Sequence, residues 1–292
     1  MGEICSNQKK FVSLQRIMNW RLARYRVKSW LRHQLTAWNT GGEGIHSPYL
    51  FEWVRMVMSD THSYYVWGEI EHLRENMLQD ERVIDFVDYG SGKVKGENRK
   101  GKDERRVRDI AKNSLASRKY AQMLSRLVNW LGEKYEGKEG LVIVELGTSL
   151  GITTAYLATM DRRNKVLTFE GCEAVAEVAK ENWKELNISN IECVVGEIDE
   201  RALEERLEHV DMAFIDANHT YEYTCRYFDV LAEKVHEKSV VVVDDIHQSE
   251  EMEDAWKRIC ADERVTSTMD LYQMGLVFFD KHYWRRNYKM RL

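Results

Sequence analysis

Proline is almost absent: Pro48 is the single one in 292 residues, which argues against a string of small domains joined by rigid linkers. Cysteine is sparse as well. Cys5, Cys172, Cys193, Cys225 and Cys260 are scattered without a CxxC pair, so zinc and disulfide frameworks are disfavoured and free thiols are expected. No apolar run approaches the roughly 20 residues that span a bilayer. The opening residues also lack a signal-peptide core, and a cytoplasmic location is expected. Low-complexity tracts and internal repeats are missing too. What remains is a hydrophobic fraction of 43%, enough for one large domain with an extension.

The net charge of -5 hides a basic opening. Residues 1–36 carry Lys9, Lys10, Arg16, Arg21, Arg24, Arg26, Lys28 and Arg32 against Glu3 alone. Trp20, Tyr25, Trp30 and Trp38 are interleaved with them, so a membrane-surface helix and a nucleic-acid contact both need weighing. The expected outcome is a solvated helix whose aromatics pack on the body of the protein. Gly41, Gly42 and Gly44 then break the chain. Ser47 is a natural N-cap with Pro48 at the first helical position, and Leu50, Phe51, Val54, Val57 and Met58 repeat at helical spacing. Residues 90–108 turn polar and basic and read as a loop, either gating a site or simply solvated. Tyr120, Leu124, Leu127 and Leu131 mark a helix ending at Gly132.

The chemistry starts at residue 141. Leu141 to Leu146 reads as a strand buried on both faces, Gly147-Thr148-Ser149-Leu150-Gly151 as the turn, and Ile152 to Thr159 as the returning helix. Glycines let backbone approach a ligand, and Glu145 offers hydrogen-bond acceptors beside them. A dinucleotide turn expects GxGxxG, whereas here nothing glycine-like stands at 149 and an acid precedes the first glycine. Such a carboxylate repels a pyrophosphate and attracts a cation. A tight strand-to-helix turn also exists without any ligand.

Further acids close the following strands. Val166 to Phe169 ends at Glu170, about 20 residues past the turn, where nucleotide-binding folds place an acid on the ribose. A helix carrying Val175, Ala179, Trp183 and Leu186 leads to a strand from Ile191 to Val195 and to Glu197, which suits a helix cap equally well. Asp211 to Ile215 leads into Asp216-Ala217-Asn218-His219-Thr220-Tyr221-Glu222. Ser239 to Val243 is the strongest β signal and stops at Asp244-Asp245. Without a ligand, Asp216 and His219 cap the helix starting near Tyr221, and the two aspartates are solvated strand ends. Val265 to Leu271 and Gly275 to Phe279, around Tyr272-Gln273-Met274, read as an antiparallel pair.

The order acid then GxxxG resembles motif I of class I S-adenosylmethionine-dependent methyltransferases. ELGTSLGITT is similar to the variant in small-molecule O-methyltransferases of the catechol, caffeoyl-CoA and macrolide-sugar types, and DANHTYE resembles their DxDHxYE and DADKxxY segments. GIHSPYLFEWV looks like the helical lead-in of some bacterial methyltransferases, where His46 is either part of a lid or a loop histidine. The resemblance covers roughly residues 113–280. It implies a Rossmann-like three-layer α/β sandwich whose mostly parallel, seven-stranded sheet ends in an antiparallel hairpin, with residues 1–112 as a helical extension and charged loop and 113–292 as the methyltransferase domain. It implies a donor site of Glu145, Gly147, Thr148, Ser149, Gly151, Glu170, Gly171, Glu197 near adenine, and Asp216. Asp216 and His219 would face the methyl group, His219 as the base because its ordinary pKa near 6.5 leaves it largely neutral. In metal-dependent relatives, positions matching Asp216, Asp244 and Asp245 hold one divalent ion, and such hard oxygens suit magnesium, manganese or calcium. The tandem aspartate differs from the Asp-Asn of the catechol type. The implied acceptor is a small-molecule hydroxyl. An RNA methyltransferase, a noncatalytic donor-binding protein and, last, an NAD enzyme are the competing classes, and a homodimer is left open.

Overall fold

Uninterrupted β-branched segments such as Val240-Val241-Val242-Val243 exclude a solvated face, so they pair side by side with helices on both surfaces. The computed structural model describes residues 20–37, 42, 44–87, 103–134, 139–281 and 285–292. Helix α1 covers residues 20–36. After it come α2 (Pro48–Trp53), a π-helical turn (Val54–Met58), α3 (Val66–Gln79), β1 (Val83–Phe86), β2 (Asp103–Arg106), α4 (Val107–Ser114) and α5 (Arg118–Lys134). Alternation then sets in: β3 (Val142–Leu146), α6 (Ile152–Ala158), β4 (Lys165–Glu170), α7 (Glu173–Glu185), β5 (Ile191–Val195), α8 (Glu200–Arg206), β6 (Val210–Ile215), α9 (Tyr221–Ala232), β7 (Val235–Asp244) and α10 (Glu250–Ala261). β8 (Ser267–Asp270), β9 (Met274–Phe278) and β10 (Arg286–Lys289) complete the chain.

Eight strands form the main sheet in the order β10-β8-β9-β7-β6-β3-β4-β5. β3 to β7 are parallel, and β9 runs antiparallel to both β7 and β8. The expected hairpin is therefore present. β10, which pairs parallel with β8, makes eight strands of the expected seven; its RNYK sequence has no apolar alternation to announce it. Side-chain parity sorts the core. Ile143, Met212, Phe214, Val240 and Val242 pack on one face of the sheet, and Val144, Ala213, Ile215, Val241 and Val243 on the other, giving a layer of helices on each side.

The chain reverses direction across the sheet at β3, whose neighbours β4 and β6 lie on opposite sides. That is a topological switch point, the place where open α/β sheets leave a crevice beyond their strand ends. Helices α2, α3 and α4 share buried clusters with the sheet and its helices, and the expected boundary at 112/113 falls inside α4.

Four local expectations need correction. Of the expected loop at 90–108, the part at 88–102 lies outside the described residues, but Asp103–Arg106 forms β2 and pairs with β1. Asp103, Glu104 and Arg106 are exposed on the ribbon, while Arg105 stacks 4.0 Å over the Phe86 ring. Helix α5 continues past Gly132 to Lys134, because Lys134 anchors the last turn on Glu52. The helix capped by Ser47 passes into the π-helical turn after Trp53, where Arg126 donates to the Val57 carbonyl. Finally, Trp20 and Trp30 do not pack on the body: they are 73% and 48% exposed.

Candidate active site

Gly147 ends β3 with φ +103, and a Cβ there would meet the Asp216 carbonyl oxygen at 2.1 Å. Only glycine lets β3 and β6 run this close past the turn. The Gly147 and Thr148 amides both donate to the Phe169 carbonyl, at 3.0 and 3.1 Å, tying the turn to β4. Gly151 caps α6 at φ +75, where a Cβ would meet Trp183 Nε1 at 2.5 Å. Its carbonyl instead accepts from that indole at 2.8 Å.

A cavity of about 700 Å³ opens beyond these strand ends, within the size range of small-molecule sites. Of the expected residues, Gly147, Ser149, Glu170, Gly171, Glu197, Asp216, His219, Asp244 and Asp245 line it. Glu145, Thr148 and Gly151 do not. Glu145 lies beneath the turn, fully buried, with Oε2 accepting from Thr154 at 2.5 Å and Thr168 at 2.6 Å. Burial pushes its pKa up to about 7, the two hydroxyls working against that and Glu170 adding to it. His46 is exposed and does not line the cavity.

Glu170 is held by the backbone. Its Oε2 accepts from the Ser149 amide at 2.8 Å and its Oε1 from the Cys172 amide at 2.9 Å. Burial raises its pKa nonetheless, against those amides. Both carboxylate oxygens are thereby fixed while the group still faces the cavity, the arrangement a vicinal diol needs in an acceptor.

At the opposite end Asp216, Asp244 and His219 converge. The Asp216 and Asp244 carboxyls hydrogen-bond each other, and both titrate well above the ordinary carboxylate range: Asp216 from burial and then repulsion by Asp244 and Asp245, Asp244 from burial and then Asp245, its bond to Asp216 working against the rise. Asp244 Oδ1 is buried without a partner. Asp245 is turned aside and accepts from Gln248 at 2.7 Å. His219 Nε2 stands 3.4 Å from Asp216 Oδ1, and burial lowers its pKa against the pull of Asp245, which favours the neutral imidazole. Backbone strain gathers here: Ser149, Asn218, His219 and Asp245 all have positive φ and all line the cavity. Non-glycine residues hold such conformations only where their surroundings impose them.

The donor features fit S-adenosylmethionine: a cradle that a Cβ would fill, a preorganised diol acceptor and an acidic lining for a sulfonium. For a metal, no group of three or more His, Cys, Asp or Glu is arranged to hold an ion among the described residues. The Asp216 and Asp244 pair, with its unpartnered oxygen, still fits a hard cation of the magnesium kind, which is commonly held by one or two carboxylates and completed by water.

Several lining residues went unforeseen. Phe86, Val87 and Arg105 come from the β1–β2 ribbon, Asn113 and Ser114 from the end of α4, and Gln248 and Gln273 from the loops after β7 and β8. Ser114 Oγ lies 2.6 Å from Ser149 Oγ, a contact across 35 positions that no local pattern marks.

Residues 144–246 match the family model of a methyltransferase domain. No curated protein matches the chain. An O-methyltransferase from Bacillus cereus, solved with S-adenosylhomocysteine, is similar in structure with TM-score 0.51 and 16% identity, over 77% of this chain and 95% of that one. A candidate O-methyltransferase from Klebsiella pneumoniae gives 0.50 at 14% identity, over 77% and 94%. At these identities the likeness is one of fold. Acid-then-glycine turn, switch-point cavity, antiparallel β9 and domain match fall on one stretch of the chain: residues 144–246 match a methyltransferase domain, carried on a Rossmann-like α/β fold.

Proposed function

We propose that the protein methylates a hydroxyl oxygen of a small-molecule acceptor. The observation that carries this reading is one cavity with two unlike ends: Glu170, organised by amides, at one, and the Asp216, Asp244 and His219 cluster at the other. Bound S-adenosylmethionine supplies an electrophilic methyl group on a sulfonium. Glu170 would hold the ribose diol, Glu197 would lie near the adenine, and the turn from Gly147 to Gly151 would carry the remainder of the donor against backbone.

The remaining task is to place the acceptor oxygen in line and take its proton. His219, kept neutral by burial, would receive that proton, its ring oriented by Asp216 3.4 Å from Nε2. A divalent cation, when bound, would lower the acceptor hydroxyl's pKa; Asp216 and Asp244 would hold it, with Asp245 alongside. Gln248 fixes Asp245 and so shapes the wall that the acceptor meets.

The test separates binding from chemistry. Calorimetry with S-adenosylhomocysteine should give the same affinity for the parent and His219→Ala, while turnover on a panel of hydroxylated small molecules should fall about 10²- to 10⁴-fold in the variant. Methylation of amines, thiols or RNA with no hydroxyl compound accepted would overturn the assignment.

A further inference from the structure

Helix α1 docks by one face and leaves the opposite one bare. On the inner side Ser29 and His33 are buried, Tyr25 donates to Glu253 at 2.6 Å, Arg32 to the same carboxylate at 2.7 Å, and Arg26 to the Gln248 carbonyl at 3.0 Å. At 100° per residue, Trp20, Val27, Leu31 and Leu35 fall on the other side, exposed by 73, 60, 49 and 85%. Scattered apolar side chains on a surface need no explanation, but a contiguous stripe does. Arg24 stands within it, and Arg21 and Lys28 border it on one flank. Residues 20–36 contain five Lys or Arg and not one Asp or Glu.

We propose that this outer face of α1 is a docking surface for an anionic lipid bilayer, with the helix lying in the plane of the headgroups. The combination is what such a surface recognises: an outward apolar stripe to enter the acyl boundary, tryptophans suited to the interface, and flanking cations for the phosphates. Arg24, within the stripe, reaches the headgroups by extending its stem. A second copy of the chain is the poorer occupant, because pairing two such outer faces would bring Arg21, Arg24 and Lys28 of each together without an acid on either helix. RNA would use the cations but leave Val27, Leu31 and Leu35 idle. Among the described residues no helix is long and apolar enough to cross a membrane, so the contact is interfacial.

The experiment is co-sedimentation of the full-length protein with phosphatidylcholine vesicles and with vesicles containing phosphatidylserine, at low and physiological salt. Binding should appear on the anionic vesicles and weaken with salt. Each cation near such a surface strengthens binding about fivefold, so Arg21→Gln, Arg24→Gln and Lys28→Gln together should weaken it roughly 100-fold. Val27→Asp with Leu31→Asp should abolish it. Calorimetry with S-adenosylhomocysteine on each variant serves as the check of folding, since these side chains lie outside the cavity. Equal affinity for neutral and anionic vesicles, no affinity for either, a sedimentation-velocity dimer broken by Leu31→Asp, or tighter binding to RNA than to vesicles would each overturn the proposal.

Discussion

Glu145 keeps one carboxylate oxygen without a partner inside the protein, and its titration is a readable property of the fold. Its folded pKa of about 7 lies above the ordinary 4.5, chiefly through burial. Folding therefore favours the protonated form: this contribution to stability is complete below about pH 4.5 and is lost as the pH rises through about 7, at most about 3 kcal/mol. Thermal unfolding should show the parent losing more stability between about pH 5 and pH 8 than Glu145→Gln, whose amide oxygen can still accept from Thr154 and Thr168. Parallel pH profiles would refute the assignment of burial as the cause. At Glu170, the proposed diol acceptor, Glu170→Ala should weaken S-adenosylhomocysteine binding about 10- to 100-fold by calorimetry. Affinity equal to the parent's would show that the ribose is held elsewhere. Gly147→Ala forces a methyl group onto the Asp216 carbonyl and should lower stability by about 1–3 kcal/mol in denaturant unfolding.

Among the elements, α1 is held mainly by polar bonds to the body, and those bonds respond to acid. Burial would raise the Glu253 pKa, but the hydrogen bonds from Tyr25 and Arg32 outweigh it and hold the group at about 2. Asp270 is likewise held low, the bonds from His247 and His33 overcoming its burial. Both acids have folded pKa values below their unfolded ones. Their stabilisation is present above about pH 4.5 and is lost as the pH falls toward 2. Hydrogen exchange should therefore show α1 losing protection near pH 3 while β3 and β6 keep theirs, and Glu253→Gln should release α1 already at neutral pH. Loss of α1 and sheet protection at one common pH would contradict a separately docked helix. None of this was readable beforehand, since Tyr25 and Glu253 stand 228 positions apart.

Across the whole molecule, legibility followed burial. The central parallel strands were visible because both faces are covered, as at Val240 to Val243 of β7, all buried; β5 also spans Ile191–Val195 as expected, although it lies at the sheet edge and is partly exposed. The acids that end them were visible because charge breaks such runs abruptly. β2 and β10 were hidden, since edge strands are stabilised by backbone pairing and outward side chains and so look like charged loops. The turn of Asp245 toward Gln248 was hidden for a different reason: strand ends announce an acid and not its rotamer. Cation binding can be tested on the intact protein. Millimolar magnesium should raise the melting temperature of the parent and leave that of Asp244→Asn unchanged, because a ligand selective for the folded state stabilises by mass action. An equal response from both proteins would exclude this pair as the site.

The four left-handed residues around the cavity carry one more implication, for any attempt to make the protein hardier. Random improvement by heat selection would encounter Asn218→Gly and Asp245→Gly early, since each relieves backbone strain. Survivors of such a screen should tolerate heat better and turn over more slowly, the trade-off expected where a protein is most rigidly contorted at its proposed site of reaction.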